Sequence, residues 1–230
     1  RDDKEDLQLL IDKASKNKAK LLYFSNPNNP MGTWMRGDKI VSLLEKLPDD
    51  CLLILDEAYA EFAPNEAKVP ILVDDPRLIR FRTFSKAYGI AGARIGYGLG
   101  SRELIGEFDK IRNHFGNSLL SQVAAIAAIK DQKYLSDVVK KISLGREKIY
   151  QIAKLNGLTA IPSATNFVAI DCGKDGTFAT QVMNGLLEAK IFVRKPAVAP
   201  LDRTIRVTVG RNDDIELFKS VFPQVLKASQ

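Results

Sequence analysis

Lys86 sits in Thr83-Phe84-Ser85-Lys86-Ala87-Tyr88-Gly89, directly after a run with strand character, Leu78-Ile79-Arg80-Phe81-Arg82. An amine just past a strand, with hydroxyls three residues and one residue ahead of it, suits a lysine that must form a Schiff base. Gly92-Ala93-Arg94 follows and runs on into Ile95-Gly96-Tyr97, adding a guanidinium after a flexible stretch. Thr83, Ser85 and Arg94 would hold a phosphate near that amine, the arginine offering a forked set of donors. Taken alone, the segment fits a solvated Ser-Lys loop equally well. The rest of the chain must decide.

Ligands of a parallel α/β sheet sit at the carboxyl ends of its strands. Four successive strand-like runs here carry polar residues at such positions. They supply Asn29, then Asp56 and Tyr59, then Thr83, Ser85 and Lys86, and last Arg94 near the start of the next run. Each has a plain alternative: Asn29 as a turn former, Asp56 as a helix cap, Tyr59 as an amphipathic wall residue. Their joint appearance in this order favours a site.

The elements that must position these residues follow from periodicity. Residues 5–16 carry Leu7, Leu9, Leu10, Ile11 and Ala14 among charges, an amphipathic helix. Lys20-Leu21-Leu22-Tyr23-Phe24 is a short buried strand, stopped by Ser25-Asn26-Pro27-Asn28-Asn29-Pro30-Met31-Gly32, a stiff loop. A helix from about Asp38 stops at Pro48, and Leu52-Leu53-Ile54-Leu55 reads as a strand buried on both faces. Strands are expected at 78–82 and from Ala93 to Leu99, and helices at about 102–113, 118–130 and 134–155. Beyond lies an α+β pattern: strands at 166–171, 191–193 and 204–209, a helix at about 177–189, and a last helix from Asp214. That last helix has Asp213 and Glu216 in capping-box spacing and contains Pro223, expected to kink it. The expected division is residues 1–133 as part of a large α/β domain and 134–230 as an interdomain helix with a small α+β domain.

Composition narrows the function classes. The 230 residues are 45% hydrophobic and 27% charged, ordinary for a globular protein, and no apolar run reaches membrane-span length. The net charge of +6 is spread among acids, and the densest basic patch, Lys16-Asn17-Lys18-Ala19-Lys20, has no interleaved aromatics. Nucleic acid is therefore not the expected partner; attraction of small anions is. Cys51 and Cys172 lie apart in apolar runs without CxxC spacing, and His114 is the one histidine, read as a helix-end residue. Neither a metal site nor a disulfide framework is expected, and the cysteines read as buried hydrophobes of a reducing compartment. The polar opening without an initiator methionine suggests that no signal peptide is present and that residues precede this stretch.

Asn26-Pro27-Asn28-Asn29-Pro30-Met31-Gly32, Asp56-Glu57-Ala58-Tyr59, the Lys86 segment with Arg94, and Ile205-Arg206-Val207-Thr208-Val209-Gly210 together resemble the signatures of fold-type I aminotransferases. The likeness is greatest to the histidinol-phosphate aminotransferase group and covers essentially the whole chain. It implies an α/β fold with a mostly parallel sheet, a small C-terminal domain, and pyridoxal 5′-phosphate as cofactor. Lys86 would bind the cofactor covalently and move the proton between substrate Cα and cofactor C4′. Asp56 would pair with the pyridine nitrogen, Asn29 and Tyr59 with the phenolic oxygen, and Thr83, Ser85 and Arg94 with the phosphate. Arg206 alternates with Ile205, Val207 and Val209, so its side chain faces the cleft, where it would clamp the substrate carboxylate. Arg194 resembles a position that contacts the substrate side chain.

The resemblance also implies a small-molecule amino acid and a 2-oxo acid as partners, no nucleic acid and no membrane, a cytoplasmic location and a two-fold homodimer. Family members carry a phosphate-binding glycine turn, a ring-stacking aromatic and a tyrosine from the neighbouring subunit ahead of this region, and the 230 residues contain none of them. The chain therefore reads as a segment or a truncated form. The same framework also serves decarboxylases, lyases and cofactor-binding sensor domains of transcription regulators. Pro196-Ala197-Val198-Ala199-Pro200 and Arg112-Asn113-His114-Phe115-Gly116-Asn117 depart from the histidinol-phosphate pattern, leaving an aromatic or broad amino donor open.

Overall fold

Leu22 and Phe24 in β1 (Leu21–Ser25), and Leu53 and Leu55 in β2 (Leu52–Asp56), are buried, while the residues between them are exposed or half-buried. That alternation gives the larger sheet one covered face. The computed structural model describes residues 3–70, 72, 74–113 and 115–229, so His114 lies outside the described residues. The described chain forms two compact units, Lys4–Pro27 with Trp34–Val138, and Arg1–Asp3 with Asn28–Thr33 and Val139–Gln230. The chain leaves one for the other within a single long helix, and the asparagine-rich loop Asn28–Thr33 belongs with the C-terminal residues.

In the first unit the strand order is β1, β2, β3 (Leu78–Thr83), β4 (Gly96–Gly100). The first three strands run parallel and β4 is antiparallel to β3. Helices α1 (Leu7–Lys16) and α2 (Gly37–Lys46) present Ile11, Ala14, Ile40, Leu43 and Leu44 to Leu22, Phe24, Leu53 and Leu55. Asp6 caps α1 by accepting from the Leu9 N–H at 3.0 Å. The sequence reading expects β2 to be buried on both faces, but Ile54 and Asp56 are half-buried, because these helices cover one face only. Next come α3 (Arg102–Phe108), α4 (Leu119–Lys130) and α5 (Gln132–Leu155). Helix α3 stops well short of the expected residue 113, and β4 starts at Gly96 because residues 91–93 form a 3-10 turn instead.

The second unit holds a three-stranded antiparallel sheet, β5 (Thr159–Ala160), β6 (Phe167–Asp171) and β7 (Thr204–Thr208), in that order. Helices α6 (Gly176–Glu188) and α7 (Asn212–Ala228) bury Val182, Leu186, Phe218 and Phe222 with Val168, Ile170 and Ile205. No strand forms at 191–193; only Arg194 pairs, through a single bridge to Arg206. The cap of α7 is also displaced from expectation. Arg211 and Asp214 form the capping box, and the helix runs on through Pro223. Both cysteines are buried and free. Among the described residues, no helix is long and apolar enough to cross a membrane.

Candidate active site

The parallel pairing of β1, β2 and β3 brings their carboxyl ends to one edge, with Ser25 opposite Asp56 and Asp56 opposite Phe81. Because β4 is antiparallel, its beginning lies at that same edge, with Gly96 opposite Thr83. Arg94 thus reaches the carboxyl ends by entering a strand rather than leaving one. A concavity of about 460 Å³ at this edge is lined by Asp56, Thr83, Ser85, Lys86 and Arg94, together with Tyr23 and Arg82.

Backbone geometry explains how these groups converge. Thr83 Oγ1 accepts from the Ser85 N–H at 3.1 Å, turning the chain out of β3 so that Lys86 follows at the rim. Gly89 has φ +73°, a conformation open to glycine, and an added Cβ would also lie 3.0 Å from the Tyr134 hydroxyl. Arg94 ends the 3-10 turn in the left-handed region at φ 50°, ψ 46°, an uncommon conformation for a residue other than glycine. Lys86 Nζ lies 5.4 Å from the centroid of the buried Tyr59 ring, so Tyr59 is a wall beside the amine.

Asp56 is held on both oxygens. Its Oδ1 accepts from the Ala58 N–H at 2.9 Å, and its Oδ2 accepts from the Tyr23 hydroxyl at 2.5 Å. Partial burial and the neighbouring Asp56 carboxylate push the Tyr23 phenol up to about 12.

Behind the rim lies a buried charge cluster. Arg80 is 1% exposed and donates through Nε and Nη2 to both oxygens of Glu57, at 2.9 and 2.7 Å. Its remaining donors go to the Val69 and Pro70 carbonyls. Arg82, on the rim, donates to Glu57 Oε2 at 3.1 Å. A single buried carboxylate thereby ties the residue after Asp56 to the strand that leads to Lys86. Nearby, Glu61 Oε2 is buried without a hydrogen bond among the described residues, and burial pushes that carboxyl above its ordinary value.

The remaining predicted residues lie in the second unit. Ile205, Val207 and Val209 are buried, and Arg206 faces the opposite way. Its Nη1 donates to Asn29 Oδ1 at 2.5 Å and its guanidinium stands 4.7 Å from the Phe167 ring centroid. Arg194 exchanges backbone hydrogen bonds with Arg206, and its exposed guanidinium lies 6.0 Å from the Phe192 ring. The loop carrying Asn29 is seated by Met31, buried with Ile161 and Ala169, and by Gly32 at φ +79°. A Cβ on Gly32 would fall 2.4 Å from Ser163 Oγ.

Sequence reasoning did not single out Tyr23, Arg82 or the Glu57–Arg80 pair. The available signal was period two: Tyr23 alternates with Leu22 and Phe24, which puts its hydroxyl on the face where Asp56 lies.

Residues 2–218 match the family described as aminotransferase class I and II. The histidinol-phosphate aminotransferase of Geobacillus sp. (strain WCH70) is 38% identical over 232 residues, which take in 100% of this chain and 62% of that protein. Its counterpart in Bacillus subtilis (strain 168) is 34% identical over 228 residues, 98% of this chain and 62% of the relative. The crystal structure of histidinol-phosphate aminotransferase from Sinorhizobium meliloti in complex with pyridoxal-5′-phosphate superposes with a TM-score of 0.98 at 47% identity. That match covers 100% of this chain and 63% of the other. The chain spans about 62% of the length of the curated relatives it matches. With this α/β fold and this extent of similarity, the chain belongs to the class I and II aminotransferase family.

Proposed function

We propose that the intact protein is a pyridoxal-phosphate-dependent aminotransferase, moving an amino group between histidinol phosphate and a 2-oxo acid. The observation that carries this reading is the single concavity lined by Lys86, Asp56, Thr83, Ser85 and Arg94. The donor set fits pyridoxal phosphate: an amine for its carbonyl, hydroxyls and a guanidinium for its phosphate, a carboxylate for its ring nitrogen. When bound, the cofactor supplies an electron-withdrawing ring that stabilises negative charge at the substrate Cα.

The roles of the side chains follow from their chemistry. Lys86 Nζ would hold the cofactor covalently and would take and return the proton at the substrate Cα. Asp56 would hold the ring nitrogen by accepting a hydrogen bond from it. Tyr59 and Asn29 donate to the phenolic oxygen, the latter through its amide NH2. Thr83, Ser85 and Arg94 bind the phosphate, Arg206 clamps the substrate carboxylate, and Arg194 reads the phosphate on the substrate side chain.

The names of the relatives support histidinol phosphate as donor. A panel of amino donors on the intact, cofactor-loaded protein tests it. Histidinol phosphate should give the highest kcat/KM, and a preference for an unphosphorylated aromatic amino acid would overturn the assignment. The intact protein is further proposed to be a cytoplasmic two-fold dimer. Its buried free cysteines suit a reducing compartment, and light scattering that finds an active monomer would contradict the assembly.

A further inference from the structure

We infer that Tyr23 is a positioning residue for Asp56, presetting the carboxylate that meets the cofactor's ring nitrogen. The inference rests on the reading of the concavity as a pyridoxal phosphate site.

The placement of Tyr23 follows from strand register. Leu22 and Phe24 point into the core, so Tyr23 points to the other face of β1. Tyr23 is opposite Ile54, which makes Asp56 its diagonal neighbour on the same face of β2. In a parallel pair, strands about 4.8 Å apart with a rise of about 3.3 Å per residue put residues two steps out of register about 8 Å apart, within reach of an aromatic side chain and beyond that of a serine or threonine. The phenol spans this gap and donates to Asp56 Oδ2 at 2.5 Å, in the range of a charge-assisted O–H···O⁻ bond. With the Ala58 N–H on Oδ1, each carboxylate oxygen has one fixed donor, so rotation about the terminal bond is restrained before any ligand binds.

Both groups line the same concavity as Lys86, so the bond belongs to the site and not to a remote surface. A tyrosine serving only as packing would direct its hydroxyl to water. A carboxylate held by a fixed donor on each oxygen would meet the ring nitrogen in one orientation. The phenol itself, pushed up to about 12, remains a donor across the neutral range.

Tyr23→Phe removes one oxygen from an exposed side chain and keeps the ring, so folding is preserved. In the intact protein its kcat should fall roughly ten- to a hundredfold, with KM for the amino donor changed less than about threefold. Borohydride reduction and peptide mapping should find the pyridoxyl group on Lys86 in both proteins. In the cofactor-free protein, ultraviolet difference titration should show late-titrating phenols, since burial raises Tyr88 as well as Tyr23. One of them should be missing in Tyr23→Phe and should titrate earlier in Asp56→Asn, while the Tyr88 phenol stays late in both. A label on Lys86 with unchanged kcat in Tyr23→Phe overturns the positioning role alone, as does an Asp56→Asn titration in which every late phenol stays late. A label on another lysine overturns the cofactor reading and this inference with it.

Discussion

Arg206 Nη1 donates to Asn29 Oδ1 at 2.5 Å, joining β7 to the asparagine-proline loop across 177 residues of sequence. The arginine proposed to hold the substrate is thus oriented by the residue proposed to touch the cofactor ring. Phe167 supports the guanidinium from its face, 4.7 Å away.

That arrangement makes the geometry of Arg206 matter more than its charge. Arg206→Lys keeps the cation but loses the rigid fork, so kcat/KM should drop roughly ten- to a hundredfold for every amino acid tried. The absorbance of the bound cofactor should not change. Steady-state kinetics across several donors would check this, and a loss confined to phosphorylated donors would reassign Arg206 to side-chain reading.

A second expectation concerns stability. Glu57 is 3% exposed and is bonded to both Arg80 and Arg82. Glu57→Gln leaves two guanidinium groups without their counter-charge, one of them fully buried. Removing one partner of a buried ion pair costs about 3–5 kcal/mol. Denaturant unfolding of the variant should show a loss of that order, and a loss below about 1 kcal/mol would mean the cluster is water-compensated.

Glu61 gives the opposite sign. Burial raises its carboxyl above the ordinary value of 4.5, so the folded state binds a proton more tightly than the unfolded chain. Stability on this account falls as pH rises through the interval between 4.5 and the folded value. Glu61→Gln should remove that fall and be the more stable protein at neutral pH, by on the order of 1 kcal/mol. The advantage should close as pH drops below 4.5. Thermal unfolding over a pH series checks it; a wild-type protein of equal or greater stability at neutral pH contradicts it.

Much of the fold was legible because burial imposes a period. Leu22, Phe24, Leu53 and Leu55 mark strands, and Ile40, Leu43 and Leu44 mark one face of a helix. Asp56, Ser85 and Lys86 stood out because polar groups at the ends of apolar strands need a reason. Tyr23 did not, since in Leu-Leu-Tyr-Phe it reads as one more apolar residue and its partner lies on another strand. Arg80 read as a charge in a strand, and only the fold shows that Glu57 meets it in the core. Residues 191–193 had strand composition but no neighbour along their length, because the one bridge to β7 is made by Arg194. The helix α7 cap at Arg211 was hidden for a related reason: arginine is not a usual N-cap, and Asp214 makes the bond that matters, accepting from the Arg211 N–H at 2.8 Å.

Lys86 is proposed as the amine that holds the cofactor, and borohydride reduction of the intact, pyridoxal-phosphate-loaded protein, followed by proteolysis and mass mapping, can locate the bond. The pyridoxyl mass should fall on the peptide containing Ser85-Lys86-Ala87 and be lost in Lys86→Ala. A label on any other lysine, or an undiminished label in Lys86→Ala, would contradict it.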